Sequence, residues 1–159
     1  MCFDGGPVVI VKREAGILRA MSQQNTEIVR RAYELLNHGD IERLVALCSD
    51  DFVLDMSERV FNPEIYRGHE GIRRFHRDVQ EAWESYRWTV EDTRAAGDSV
   101  VALLHCHGKS SSGAPTVDWR VAWIWNFDRG RPTSLRFYRD RAKALEAAGL
   151  SEQGTSGDS

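Results

Sequence analysis

The sequence has no excess of charge of one sign and no long apolar run. Its 159 residues carry 21 lysines and arginines against 24 aspartates and glutamates, which gives a formal net charge of -3. Because no segment is polybasic, we expect neither nucleic acid nor an anionic membrane as a partner. No apolar stretch approaches the roughly 20 residues of a membrane-spanning helix. The length and the 42% hydrophobic content are typical of one soluble globular domain.

Cysteine is also scarce. Cys2, Cys48 and Cys106 are odd in number and far apart, and no C-x-x-C pair occurs. This pattern predicts neither a disulfide framework nor a zinc clip, and it favours a reducing, cytoplasmic location. No glycine-rich phosphate loop, nucleophile elbow or cofactor fingerprint is present, so we expect no cofactor.

Both ends of the chain are expected to lie outside the folded domain. The apolar run Val8–Val11 lacks the preceding positive charge of a secretory signal, so residues 1–20 are interpreted as an arm outside the fold, with Met21 as an alternative start. Residues 151–159 contain no apolar side chain, which predicts a disordered tail. The folded domain is therefore placed at residues 22–150.

The spacing of apolar residues predicts three helices in the first half of the chain. From Thr26 to Leu36 they recur at steps of three and four, and Asn25 or Thr26 can cap the start. The turn 37–40, Asn-His-Gly-Asp, ends this helix and begins a short second one, so the two form a hairpin. A third helix is predicted from Gly68 to about Trp83.

Alternation with a period of two predicts the strands. One strand lies at 52–56 and is followed by an irregular loop that forms a rim, and a second begins near Tyr86. Three further segments are predicted to form an antiparallel meander before a last helix at 141–148: 99–107, 116–127 and 133–140. This order indicates an α+β domain whose helices pack on one curved sheet.

Two pairs of polar residues on the meander are the main candidates for chemistry. His105 and His107 share one face of their strand, as do Asp118 and Arg120. If the loop turns about Ser112-Gly113, His107 lies opposite Asp118 and His105 lies opposite Arg120. A carboxylate beside an imidazole makes a competent general base, so we take His107, Asp118 and His105 as candidate catalytic residues. The alternative is solvated cross-strand pairing at the rim of the sheet.

An aromatic row alternates with the charged residues of the same strand. If Asp118 and Arg120 face inward, this row faces outward and needs a cover. We therefore predict a homodimer whose interface contains Trp119, Trp123 and Trp125, with Trp123 near its centre. The alternative is that the two faces are reversed and the rings line a pocket.

Four segments together carry a resemblance to a known family: RRAYELLNHGDIERLVALCSDDFVLDM, YRGHEGIRRFHRDVQEAW, AAGDSVVALLHCHG and RFYRDRAKALEAAGL. In order and spacing, the sequence from about Thr26 to Leu150 resembles the SnoaL-like branch of the nuclear transport factor 2 superfamily. The resemblance implies a cone-shaped, cystatin-like α+β fold in which a curved mixed or antiparallel sheet wraps around helices. It also implies an internal pocket and a homodimer. The family includes cyclases, isomerases, hydrolases, dehydratases and non-catalytic binding proteins, so fold alone does not give function.

The family's catalytic residues carry over poorly. The position of the ketosteroid isomerase base holds Met56, whose thioether cannot abstract a proton, and the other two isomerase positions hold Ala32 and Ala122. Limonene-type epoxide hydrolases need an aspartate where this chain has Phe137. Polyketide cyclases resembling SnoaL use an inward aspartate with a nearby histidine, which only the histidine–aspartate set on the meander could supply.

Two function hypotheses follow. The first is a cofactor-independent isomerase, cyclase, dehydratase or hydrolase that acts on a small hydrophobic ligand; the second is a binding or scaffold protein without chemistry. An inward histidine–aspartate pair favours the first, and outward charges favour the second. His76 and the two strand histidines could supply three zinc nitrogens, but no further ligand spacing supports this and no metal is expected. The predicted ligand-binding residues are Tyr33, Met56, Phe75, His76, Trp83, Arg120 and Tyr138.

Overall fold

A computed structural model describes residues 5–60 and 62–150, with side chains from residue 15 onward. The predicted tail at 151–159 and the first four residues of the arm lie outside the described residues. This part of the chain forms four helices and six strands. In chain order they are α1 (Gly5–His38), α2 (Ile41–Leu47), β1 (Val53–Asp55), β2 (Ile65–Arg67), α3 (Gly68–Ala82), β3 (Trp83–Ala96), β4 (Ser99–Ser110), β5 (Val117–Asp128), β6 (Arg131–Tyr138) and α4 (Arg141–Ala147).

Helix α1 begins at Gly5, well before the start predicted near Thr26. Asn25 therefore does not cap the helix but lies within it, where it is buried. The residues before it include Ala20, Met21 and two glutamines, which are good helix formers, so nothing there ends the helix. Ile17 and Leu18 are exposed, and the buried hydrophobic core begins at Val29. The domain start at residue 22 stays a prediction.

The predicted turn between α1 and α2 is confirmed in detail. Gly39 has φ +75°, which a residue with a side chain rarely adopts, and Asp40 accepts a hydrogen bond from Arg43 N at the start of α2. The Asn37 amide pairs with β3: Nδ2 donates to Trp88 O at 2.7 Å, and Trp88 N donates to Oδ1 at 2.9 Å. These two hydrogen bonds fix the end of α1 against β3.

The six strands form one sheet in the order β2-β1-β6-β5-β4-β3. Strands β1 and β6 are parallel and the other neighbours are antiparallel, so the predicted α+β fold with a curved mixed sheet is confirmed. Strand β2 was not predicted, because three residues are too few to show a period. Strand β3 begins at Trp83, where the sequence predicted the end of α3.

The sheet has two differently covered faces. The inner face packs against α1, α2 and α3 and carries alternate residues of the central strands, including Cys106 on β4 and Trp123 and Trp125 on β5. The outer face carries the intervening residues, such as Ala122, and is partly covered by α4. This is the reverse of the facing that the sequence analysis favoured, and it moves every candidate on β4 and β5 to the other side of the sheet.

Candidate functional site

A cavity of about 400 Å³ lies between the inner face of the sheet, the end of α3 and the loop that joins β1 to β2. Ligand-binding pockets commonly have volumes of about 300–1,000 Å³, so this cavity can hold a small organic molecule. Its wall is mostly aromatic and aliphatic. The lining residues are Met56, Arg59, Val60, Asn62, Phe75, Val79, Ala82, Trp83, Tyr86, Trp88, Cys106, Trp119, Arg120, Val121, Trp123, Phe137 and Arg139.

Four aromatic rings from β3 and β5 form a continuous part of this wall. Alternation along β3 places Tyr86 and Trp88 on the inner face, with ring centroids 4.6 Å apart. Trp83 lies 5.1 Å from Tyr86 and 6.5 Å from Trp119, in both cases edge to face. These contacts stabilise one another through ring quadrupoles and present a broad apolar surface to the cavity.

Gly108 on β4 makes this arrangement possible. A Cβ atom at position 108 would lie 2.7 Å from Tyr86 Cδ2 and 2.9 Å from Trp83 Cε3. Both distances are shorter than real carbon contacts, so the two rings can rest against β4 only because Gly108 has no side chain. Gly108 therefore contributes to the shape of the cavity without lining it.

Apart from Arg120, the polar side chains on the sheet side of the wall are neutral. The Tyr86 hydroxyl accepts a hydrogen bond from Trp119 Nε1 at 3.1 Å. Burial raises the pKa of Tyr86 well above its usual value of 10.0 and raises the pKa of the Cys106 thiol to about 12. Within the described residues, the lining contains no aspartate, glutamate or histidine. The described wall therefore offers no group that acts as a general base at neutral pH.

The charged groups on the wall are arginines. Arg59 Nη2 donates to Asn62 O at 2.9 Å and to the Tyr66 hydroxyl at 3.0 Å, and that hydroxyl donates to Asp78 Oδ2 at 2.6 Å. Burial, more than any other effect, raises the pKa of Tyr66. Arg139 follows β6 and is exposed at the edge of the cavity.

Four of the predicted ligand-binding residues lie in the wall: Met56, Phe75, Trp83 and Arg120. The Arg120 guanidinium itself is directed to Glu91, with Nε 3.3 Å from Oε2. Their role in binding stays a prediction.

The three other predicted ligand-binding residues lie elsewhere. Tyr33 is only 2% exposed and accepts a hydrogen bond from Trp125 Nε1 at 3.0 Å; it borders a separate void of about 20 Å³, room for about one water molecule. Tyr138 packs on the outer face, with the Arg136 guanidinium 5.1 Å from its ring centroid. His76 is half-buried on α3 and lines neither cavity, and burial lowers its pKa.

The predicted pairing of the polar residues on β4 and β5 is confirmed, but their inward facing is wrong. His107 lies opposite Asp118, and His105 lies opposite Arg120. The Asp118 carboxylate accepts a hydrogen bond from His105 Nε2 and lies 3.6 Å from His107 Nδ1. The hydrogen bond from His105 holds the pKa of Asp118 below its usual range. His105, His107 and Asp118 lie on the outer face, away from the cavity, because the aromatic rings of β5 occupy the inner face. Arg120 alternates with these rings too, but it also lines the cavity.

The same reversal removes the predicted tryptophan interface. Trp123 and Trp125 are each 3% exposed inside the core of a single chain, and Trp119 lines the cavity at its exposed edge. Trp123 and Trp125 therefore cannot form the centre of a contact with a second copy, whereas an interface role for Trp119, which is 41% exposed, stays a prediction. The alternative of aromatic rings lining the pocket holds for Trp119 and Trp123.

The sequence analysis missed several wall residues. The alternation of Tyr86 and Trp88 was visible, but nothing assigned these residues to the pocket. Phe137 was noted only as a departure from the hydrolase pattern. Arg59 and Arg139 carried no periodic signal, since each lies outside regular secondary structure.

Neither a membrane-spanning helix nor a metal cluster occurs within residues 5–60 and 62–150. No helix in these ranges combines the length and the apolar character needed to cross a bilayer. No three histidine, cysteine or acidic side chains there are placed to hold a metal ion together.

Comparison with solved structures identifies the fold. A protein described as a SnoaL-like polyketide cyclase, from Jannaschia sp. CCS1, is 19% identical, with a TM-score of 0.66 over 80% of this chain and 93% of that chain. RV0760c from Mycobacterium tuberculosis, crystallised with estradiol-17beta-hemisuccinate, is 22% identical, with a TM-score of 0.63 over 74% and 95% of the two chains. TerC, co-crystallised with polyporic acid, is 21% identical, with a TM-score of 0.65 over 79% and 98%.

Sequence comparison identifies the family. No curated protein matches this chain. The model of the SnoaL-like domain matches residues 29–135, which is more than half of the sequence. The matched region contains α2, α3 and β1 to β5 in full, together with every described element that borders the cavity except the end of β6 and Arg139. The chain belongs to the SnoaL-like domain family.

Proposed function

We propose that this protein binds a small, largely aromatic molecule in the 400 Å³ cavity. The observation that carries the proposal is the division of the sheet into two faces. The aromatic rings surround the cavity on the inner face, whereas the imidazoles and the carboxylate of the candidate catalytic set lie on the outer face. Apolar, aromatic walls with a few polar groups are the usual composition of a small-molecule site.

The relatives support a binding role for the fold. RV0760c and TerC were each crystallised with a small organic molecule. Since both share the fold of this chain at low identity, they support a ligand in the cavity and leave its chemistry to this chain's own residues.

Cofactor-independent isomerase, cyclase, dehydratase or hydrolase chemistry is the second proposal. It derives from the family resemblance and would have to use a neutral hydrogen-bond donor such as Tyr86 on the ligand, since the described wall offers no base. The set His105, His107 and Asp118 cannot reach a ligand inside the cavity without crossing the sheet. Binding is therefore the function that the geometry supports best.

Isothermal titration with a neutral aromatic probe, naphthalene carboxamide, tests the binding proposal. Val79 is half-buried and lines the cavity from α3, so Val79→Trp is expected to fill it and abolish binding. A triple variant of the outer face, His105→Gln, His107→Gln and Asp118→Asn, is expected to bind as the unaltered protein does. Loss of binding in the triple variant, with binding retained in Val79→Trp, would contradict the proposal.

The homodimer and the cytoplasmic location also stay proposals. The family resemblance supports the dimer, now without the tryptophan row as its interface, and sedimentation equilibrium at micromolar concentration tests it; a monomer overturns it. Cys48 and Cys106 are free and buried, which supports a reducing location. Fluorescence microscopy of a tagged chain in its native cell tests that location.

A further inference from the structure

We infer that the ligand of this cavity is an organic anion: an aromatic ring system that carries a carboxylate, whose charged oxygens lie at Arg59 and Arg139. The inference rests on the proposed binding function and names the chemical class of the ligand.

The first argument is the charge of the described wall. Its only formally charged residues are Arg59, Arg120 and Arg139. Arg120 forms an ion pair with Glu91, a carboxylate that it shares with Arg141. Among the described residues, Arg59 and Arg139 have no carboxylate within 4.0 Å, and Asp78 reaches Arg59 only through the Tyr66 hydroxyl, so neither guanidinium has a direct ion-pair partner. The cavity therefore carries a net positive charge on one side.

The acidic residues around them have other partners. Asp78 accepts a hydrogen bond from the Tyr66 hydroxyl and lies 4.0 Å from Arg74 Nη1, and Asp140, next to Arg139 in sequence, accepts hydrogen bonds from Ala142 N and Lys143 N. Glu58, next to Arg59 in sequence, lies 3.8 Å from Arg136 Nη2 on β6. Glu64, in the same loop, pairs with Arg74 on α3. These carboxylates are thus bound to other groups of the fold, and the guanidinium groups of Arg59 and Arg139 remain available to a ligand.

The second argument is placement. Strands β1 and β6 are parallel, with Asp55 opposite Arg136, so both strands end at the same edge of the sheet. Arg59 and Arg139 follow these two ends and line the same cavity. Arg59 is half-buried and is held by Asn62 O and the Tyr66 hydroxyl, neither of which removes its charge. Both guanidinium groups therefore border the cavity in which a ligand carboxylate would lie.

The charge of Arg59 also reaches the aromatic wall. Burial is the main cause of the raised pKa of Tyr86, and the positive charge of Arg59 opposes that rise. This places the guanidinium within electrostatic range of the rings that would contact the ligand.

The buried polar atoms of the wall that lack a hydrogen-bond partner also favour an anionic ligand. Arg59 Nε and Trp123 Nε1 are buried without a hydrogen-bond partner in the described structure, and both are donors. An aromatic-walled cavity can also bind a quaternary ammonium ion through cation–π contacts. Uncompensated arginines and excess donors oppose a cation and favour a ligand that brings acceptors.

Three naphthalene probes that differ only in one substituent test the inference: the carboxylate, the carboxamide and the trimethylammonium derivative. Titration calorimetry with the full chain at low ionic strength is expected to give affinity about tenfold higher for the carboxylate than for the carboxamide, as expected for charge-assisted hydrogen bonds. The trimethylammonium probe is expected to bind most weakly. The preference for the carboxylate is expected to shrink as salt is added.

Variants then assign the preference to the two arginines. Arg59→Gln, Arg139→Gln and their combination are expected to remove the carboxylate preference stepwise, whereas Arg31→Gln, on the exposed side of α1, is expected to leave it intact. An unchanged circular dichroism spectrum reports an intact fold in each variant. Arg139→Gln is the safer single change, since no described hydrogen bond or ion pair involves its side chain.

The outcomes separate the inference from the binding function. If the carboxylate and the carboxamide bind equally well, the charge inference is wrong and the binding function stands. If the preference persists in the double variant, the assignment to Arg59 and Arg139 is wrong. If no probe binds, both the binding function for aromatic molecules and the inference fail.

Discussion

Replacing Tyr33 by phenylalanine tests whether its hydroxyl serves the core or a ligand. The sequence predicted a ligand contact, whereas the structure places Tyr33 outside the cavity wall. Its hydroxyl accepts a hydrogen bond from Trp125 Nε1 at 3.0 Å. Burial raises the pKa of Tyr33 well above 10.0, so the phenol stays neutral at neutral and mildly alkaline pH. The substitution therefore removes one neutral acceptor and no charge.

The expected loss of stability follows from the burial of the pair. Tyr33 and Trp125 are 2% and 3% exposed, so the indole N–H would be left without an acceptor in a dry environment. A buried donor without a partner costs about 1–3 kcal/mol. The ring itself remains, and so do its edge-to-face contacts with Trp123 at 5.8 Å and Trp125 at 5.7 Å. We therefore expect the free energy of unfolding to fall by about 1–3 kcal/mol with no further packing loss.

Urea unfolding followed by circular dichroism measures this loss, and titration with naphthalene carboxamide measures binding in the same variant. Affinity is expected to be unchanged, because Tyr33 does not line the 400 Å³ cavity. Tyr138→Phe is the matched control, since its hydroxyl makes no hydrogen bond within the described structure; a change within about 0.5 kcal/mol is expected. Unchanged stability together with lost binding in Tyr33→Phe would refute this reasoning. That result would show that the hydroxyl contacts the ligand.

Two further predictions concern the cavity and the outer face. Gly108→Ala is expected to push the rings of Trp83 and Tyr86 into the cavity, which weakens carboxamide binding. Overpacking is expected to lower the free energy of unfolding by about 1–3 kcal/mol. Calorimetry measures the binding and urea unfolding measures the stability; unchanged binding would show that the rings have room to move. The hydrogen bond from Arg141 holds the pKa of Glu91 below its usual 4.5, so this carboxylate stabilises the fold above that value and the contribution is lost as pH falls through the lower, folded pKa. Glu91→Gln is expected to lower stability at pH 7 and to reduce the loss on acidification, whereas Glu27→Gln, exposed on α1, changes neither; equal acid profiles for all three proteins would contradict this.

Local signals in the sequence predicted the elements that local contacts determine. The turn after α1 needed only Gly39 and Asp40, and α4 begins where Asp140 accepts hydrogen bonds from the free amides of Ala142 and Lys143. Strand β2 escaped prediction because its three residues are defined by their partner β1 rather than by their own pattern.

Contacts between distant parts of the chain explain the role of Arg141, which the sequence showed only as part of the family-like segment RFYRDRAKALEAAGL. Arg141, in the segment Tyr138–Arg141, donates to Val121 O at 3.2 Å, to Leu104 O at 2.8 Å and to Glu91 at 2.6 Å. It therefore connects α4 to the three strands β5, β4 and β3. Arg141 therefore supports the sheet, whereas Arg139, the variable position of the same segment, lines the cavity.

The register of β4 and β5 was predictable, whereas the choice of face was not. The loop length fixed His107 opposite Asp118. Both faces of these central strands are apolar, however: Val100 to Leu104 are all buried, and on β5 Ala122 is as buried as Trp123. Strands covered on both sides read as continuous hydrophobic runs, so alternation cannot identify the inner face.

Side-chain size, rather than polarity, separates the two faces. The inner face must fill the wide space beneath three helices and carries Trp123 and Trp125. Among the described elements, only the short helix α4 covers the outer face, where Ala122 and Ala144 belong to one buried cluster. Large rings need depth, and only the layer between the sheet and α1 to α3 provides it. Side chains alternate strictly along a strand. If the large aromatic rings face inward, the histidine–aspartate set must therefore face outward. The arginines and the aromatic rings of the cavity are therefore the side chains that a bound ligand would contact.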